Sequence, residues 1–261
     1  MKRTLISKIP FELGSELERF VLGAPIYDSS CNSDAKVYFV DKREGYFLKV
    51  GNKGSLYREA EMTRYFNSKG LGAEVLSYAS QENDLLLTKR VAGEDCTYEK
   101  YLANPTRLCD IFATTLRKLH EIDFRDCPIT DKMQEYFATA EKNYRLDEYD
   151  KSHFPDSFGY RSAEDAYAVF QSSKAILTDK VLLHGDYCLP NVILNDWKFS
   201  GFIDVGQGGV GDRHVDVFWG IWTLGFNLKT NAYRNRFLDA YGRDLIDEEK
   251  LKVIGAIEVF G

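Results

Sequence analysis

Over residues 1–91 short apolar runs alternate with turn signals at the spacing of strands. KVYFV (36–40) and YFLKV (46–50) flank the polar turn DKREG, the pattern of a hairpin. Ser55 is placed to cap a helix running to about Ser68, with Leu56, Ala60 and Tyr65 or Phe66 near one face and Gly70 as its stop. EVLSYAS (74–80) and DLLLTKRV (84–91) read as two further strands. After Ala92-Gly93 the period changes. Asn104-Pro105 reads as a cap followed by proline in the first turn, and Leu108, Ile111, Phe112, Leu116 and Leu119 recur at helical spacing. Further helices are expected near 131–146, 161–177, 214–228, 232–241 and 248–259, the last capped by Asp247 ahead of Glu248 and Glu249. Three short strands, VLL (181–183), NVILN (191–195) and FSGFI (199–203), interrupt them. Phe218, Trp219, Trp222 and Phe226 read as one buried helix face rather than a ligand stack. The pattern predicts an α+β chain in two lobes: a small β-rich one over 1–91 and a larger, mainly helical one over 92–261.

Composition narrows the class. The chain has 261 residues, 44% apolar and 28% charged, which is globular and too apolar for disorder. No run approaches the roughly 18 consecutive apolar residues of a membrane span, and MKRTLISKIPFELGSE lacks the apolar core of a secretory leader. Cys31, Cys96, Cys109, Cys127 and Cys188 form no CxxC, so neither a disulfide framework nor a zinc site is expected. These features point to a reduced, cytoplasmic protein without a membrane partner. The net charge of −6 disfavours non-specific nucleic-acid binding. That charge is uneven: 14 basic and 12 acidic residues over 1–90, against 20 and 28 over 91–261.

Chemistry concentrates in VLLHGDYCLPNVILNDWKFSGFIDVGQGG (181–209). A strand ends at His184-Gly185-Asp186, Asn191 opens the next, and a tight turn at Asn195-Asp196 leads back to a strand ending in Asp204-Val205-Gly206. This brings Asp186, Asn191 and Asp204 to one end of the element. An amide oxygen and a carboxylate are hard donors suited to Mg²⁺. A further carboxylate, Asp186, is placed to orient a hydroxyl or accept its proton. Such a set suits phosphoryl transfer, where catalysis is mostly positioning and charge neutralisation.

The pattern H-G-D-x-x-x-x-N followed by D-x-G resembles the aminoglycoside phosphotransferase and choline-kinase form of the protein-kinase-like fold. The resemblance implies ATP with one or two Mg²⁺ ions held by Asn191 and Asp204, and Asp186 as the catalytic carboxylate. It implies a strand lysine on the phosphates, Lys49, and a helix glutamate holding it, Glu59, with Glu61 as competitor. The loop CNSDAKVY (31–38) is similar to that of the aminoglycoside 3'-phosphotransferases. By that likeness Ser33 touches a phosphate, Phe47 stacks on adenine, and Thr88 to Arg90 form the hinge whose backbone reads the adenine edge. RKLHEIDFRDCPIT (117–130), SGFIDVGQGGVGD (200–212) and the ending Glu258-Val259-Phe260 extend the likeness over most of the chain. Large-lobe acids and C-terminal residues then bind a cationic aminosugar. Candidates are Asp147, Glu148, Asp150 and Asp156 in the 144–160 insertion, with Glu258 and Phe260.

Three positions depart from that family. Ile257 stands where another acid is common, Gln207 where an arginine commonly follows the D-x-G glycine, and Gly261 extends the end. The implied function is ATP-dependent phosphorylation of an aminoglycoside hydroxyl, which inactivates the antibiotic, by a monomer or weak dimer. The alternatives are a kinase for choline, homoserine or a sugar, and a non-catalytic module of the same shape. His184 is expected to organise the catalytic loop rather than act as a base.

Overall fold

The first 94 residues build a six-stranded antiparallel sheet in the order β1-β2-β3-β4-β6-β5. Its strands are Thr4–Ile6 (β1), Ile26–Asp28 (β2), Lys36–Val40 (β3), Tyr46–Asn52 (β4), Val75–Ser80 (β5) and Asn83–Lys89 (β6). The computed structural model describes residues 3–30, 35–149 and 159–261. Of the six strands, β1 and β2 escape the sequence pattern. So do the helix Ser15–Val21 (α1) and, further on, the two-residue strand Glu94–Asp95 (β7) and the one-turn helix Glu99–Leu102 (α3). All are too short to show a period.

Strand alternation decides which side of this sheet carries chemistry. Tyr46, Leu48 and Val50 of β4 pack with Tyr38, Val40, Leu85, Leu87 and the α1 residue Leu17. Lys49 lies in register with Val37 and Leu86, on the opposite face. The helix Tyr57–Ser68 (α2) covers that face through Leu56 and Ala60, which pack on Leu86. A lysine on β4 and a glutamate in the first turn of α2 are thereby brought together. Ser55 does not cap this helix, contrary to expectation. The buried Asp84 carboxylate accepts the N–H groups of Gly54 (2.9 Å) and Leu56 (2.8 Å), together with the Tyr78 hydroxyl.

A second stretch, Val192–Gly206, belongs to the same compact unit as Met1–Glu94. It is a hairpin of Val192–Asn195 (β9) and Lys198–Phe202 (β10). Its turn residues Asp196 and Trp197 have φ of 47° and 69°, the two-residue geometry that suits strand twist. Phe202 anchors it: its N–H donates to Leu71 O at 2.7 Å and its ring meets Phe66 edge-on.

The other unit comprises Asp95–Asn191 and Gln207–Gly261. It holds Pro105–His120 (α4), Lys132–Leu146 (α5), Ala163–Ser173 (α6), His214–Leu228 (α7), Arg234–Tyr241 (α8) and Glu248–Glu258 (α9). The cap side chains of Asn104, Asp131, Ser162 and Asp247 each accept a backbone N–H from the first turn. Val181–Leu183 (β8) pairs antiparallel with Gly209–Gly211 (β11). Around this ladder α5, α6, α7 and α9 bury Phe170, Leu183, Val215, Ile254 and Phe260. The aromatic stretch of α7 is not the buried face expected of it. Val215, Val217, Gly220, Thr223 and Leu224 are buried, whereas Phe226 is 56% exposed and stacks on Trp222. The mixture of a six-stranded antiparallel sheet, two smaller sheets and many helices is the α+β class expected.

Candidate active site

In the first unit, three charged side chains converge. Lys49 Nζ donates to Glu59 Oε2 at 2.7 Å and to Asp204 Oδ1 at 3.0 Å. Glu61, the competitor, is not the one paired. Burial alone lowers the lysine pKa, but the Asp204 and Glu59 carboxylates outweigh it and hold Lys49 above its ordinary value. Asp204 has φ of 57°, a left-handed conformation that a non-glycine residue adopts at a cost. Two residues on, a Cβ at Gly206 would come within 3.1 Å of Glu59 Cβ, so the lack of a side chain there lets α2 approach closely.

The expected nucleotide contacts vary in how they stand. Phe47 lies on the Lys49 side of β4 with its ring 5.2 Å from that of Phe39. Thr88 sits opposite Phe47 on β6. At Arg90, the end of the expected hinge, the backbone N–H donates to Gly45 O (3.0 Å) and the guanidinium binds Gly93 O and Glu94. Ser33 and Asp156, with Asp150, lie outside the described residues.

In the second unit, the segment after β8 is fixed by an acid that sequence reasoning missed. Asp216, fully buried on α7, accepts the N–H of His184 on one oxygen (2.7 Å) and of Gly185 on the other (2.8 Å). It also takes His120 Nε2–H at 3.1 Å, while His120 Nδ1 accepts from the Tyr241 hydroxyl at 2.7 Å. Burial lowers the His120 pKa, consistent with a neutral ring that donates on one side and accepts on the other. The available signal was a lone carboxylate inside the apolar run HVDVFWGIW.

The loop then turns on Gly185, with φ of 84°. A Cβ there would stand 2.0 Å from Gln207 O, so no other residue fits. His184 is buried and accepts the Asp186 N–H on Nδ1, the organising role expected of it. Asn191 Nδ2 donates to both Asp186 O (3.0 Å) and Asp186 Oδ2 (2.8 Å). Both partners are acceptors only, which assigns the amide and leaves Oδ1 as its oxygen donor. That oxygen and the carboxylate of Asp204, whose side chain is 52% exposed, are hard donors of the kind Mg²⁺ takes. Burial pushes the Cys188 thiol well above its ordinary value, so this loop cysteine is no thiolate.

At the end of α9, Glu258 Oε1 accepts the Tyr136 hydroxyl and the Trp219 indole N–H (2.8 Å). Burial pushes its carboxyl up to about 7, the two donors opposing the shift and Asp186 adding to it. Phe260 is a correction. Its ring is fully buried among Tyr144, Tyr149 and Tyr167, and its carbonyl accepts from Asn143, so the ring is core rather than a substrate contact.

Asp179, Asp212 and His214 form another cluster with metal-like spacing. Its charges are already met. Arg213 and Lys250 bind Asp179, and Lys250 also reaches Asp212. His214 Nε2 accepts the Asp247 N–H, so the proton sits on Nδ1 and is donated to Asp212. This is an ion-pair network that fastens the start of α9.

Known proteins resemble this chain over most of its length. Residues 29–254 match the model of the phosphotransferase enzyme family. A probable aminoglycoside 3'-phosphotransferase of Lactococcus lactis subsp. lactis (strain IL1403) is 49% identical over 260 residues, 99% of this chain and 97% of that one. The aminoglycoside 3'-phosphotransferase of Niallia circulans is 29% identical over 231 residues, 86% and 87% of the two chains. Among solved structures, an aminoglycoside-3'-phosphotransferase of type VIII superposes with a TM-score of 0.76 at 24% identity, covering 90% of this chain and 91% of the other. An aminoglycoside phosphotransferase from Streptomyces rimosus, in complex with ADP and streptomycin, gives 0.68 at 21% identity, covering 87% and 91%. The chain belongs to the aminoglycoside phosphotransferase family of phosphotransferase enzymes, with the protein-kinase-like fold.

Proposed function

We propose that the chain transfers the γ-phosphoryl group of ATP to a hydroxyl of an aminoglycoside, so inactivating an antibiotic in the cytoplasm. The observation that carries this reading is the built catalytic loop: Asp186, held by Asn191, with the Glu258 carboxyl near enough to feel its charge. The 49%-identical relative supports the substrate class.

Lys49 grips the α- and β-phosphates, with Glu59 keeping its ammonium in place. Asp186 orients the acceptor hydroxyl and takes its proton. The acceptor O–P bond forms as the bond between the γ-phosphorus and the β–γ bridging oxygen breaks, and ADP leaves. Asn191 and Asp204 are the residues that would offer oxygen donors to magnesium, which would neutralise phosphate charge. Glu258 pairs with an ammonium group of the aminosugar, a role argued from the carboxylate alone since Phe260 is core. Phe47 and Thr88 line the adenine side.

A coupled ADP-release assay over aminoglycosides, choline, homoserine and simple sugars, with NMR of the product, tests the reading. A phosphate ester on an aminoglycoside hydroxyl supports it. Turnover confined to the other acceptors overturns it.

A further inference from the structure

Lys132, the first residue of α5, is placed against two ordinary rules. It is 9% exposed, whereas lysine is rarely buried unless its charge is met. It also opens a helix, where the macrodipole disfavours a cation. Neither core packing nor helix stability accounts for it. Its ammonium donates to Gln207 Oε1 at 2.8 Å and stands 3.8 Å from Glu135. Gln207 in turn lies against the catalytic loop: a Cβ on Gly185 would meet Gln207 O at 2.0 Å and Gln207 Cβ at 2.9 Å. The charge also reaches one acceptor acid. Glu258 is attracted by Lys132 and repelled by Asp186.

We propose that Lys132 is a positioning residue of the acceptor site: it anchors Gln207 against the loop before Asp186 and supplies a cation on the side of Glu258. The Gln207–Lys132 pair puts a positive charge where the side chain at 207 ends, so an arginine at 207 would bring its own charge to the same place. The role in turnover rests on the phosphotransferase reading above; the charge on the side of Glu258 does not.

The test compares Lys132→Met, Lys132→Arg and the double variant Lys132→Met/Gln207→Arg. Lys132→Met is expected to lower kcat about tenfold with the KM for ATP kept within about twofold, and both other variants to regain most of the loss. A second readout needs no turnover. The indole of Trp219 bonds Glu258, so its fluorescence reports ionisation of that carboxyl, which faces Tyr136, Asp186 and Lys132. The fluorescence transition should move to higher pH in Lys132→Met and return in the double variant. Should Lys132→Met fail to fold, Gln207→Leu, which removes the ammonium's acceptor, is expected to lower kcat in the same way. An unmoved transition, or a double variant no better than Lys132→Met, overturns the proposal. A wild-type enzyme that turns over no aminoglycoside overturns the functional reading instead, and the fluorescence result then decides on Lys132.

Discussion

Asp216 holds the backbone N–H of His184 at 2.7 Å from a point 32 residues later in the chain. With the Gly185 N–H and the His120 ring it satisfies three donors, two of them buried. Asp216→Ala strands them, at about 1–3 kcal/mol for each unsatisfied group. The expected outcome is a fall in Tm together with loss of turnover, measured by thermal unfolding and steady-state kinetics. A variant with the Tm and kcat of the wild type would remove Asp216 from the loop's support.

Lys49→Ala takes the ammonium from between Glu59 and Asp204, leaving two carboxylates without their shared cation. The expected result is a raised KM for ATP or a lower kcat. Unchanged values of both would take Lys49 out of the nucleotide site.

Asp186→Ala removes the proton acceptor but none of the groups of the first unit. Turnover should fall by about 10²–10⁴-fold, the usual worth of general base catalysis. Nucleotide affinity, read by isothermal titration, should stay near that of the wild type.

Glu258 carries a pH signature. Its folded value, about 7, lies above the ordinary 4.5 of a glutamate. The folded state therefore holds this proton more tightly than the unfolded chain does. Its contribution to stability is full below the unfolded value and is lost as pH rises through about 7. Binding of a cationic amine runs the other way, since it needs the carboxylate. The KM for an aminoglycoside should fall as pH rises through about 7, and Glu258→Gln should flatten that slope. A slope that survives in Glu258→Gln assigns it to another group.

Local periodicity made the strand that carries Lys49 and the helix that carries Glu59 legible. That the two belong together was implied by the family resemblance and not by the pattern, and the 2.7 Å contact between them is what the structure adds. What stayed hidden is non-local. Asp84 takes over the cap expected of Ser55 because β6 carries a buried carboxylate to the start of α2. Asp216 and Lys132 act on partners 32 and 75 residues away. Phe260 was expected at the substrate because the resemblance puts the family's C-terminal residues there, yet three tyrosines from α5, α6 and the segment after α5 enclose its ring.

The chain's return to its first unit at Val192–Gly206 governs how the gene can be divided. A break after Glu94 yields an amino-terminal fragment in which Leu71 O has lost the Phe202 N–H and Phe66 has lost its ring partner. The same fragment keeps Lys49 and Glu59 but lacks Asp204. The carboxy-terminal fragment would carry an orphan hairpin with its anchoring phenylalanine in water. Halves made this way are expected to recover structure only on being mixed, whereas fusing 192–206 behind residue 94 through a short linker keeps the first unit's own parts on one polypeptide.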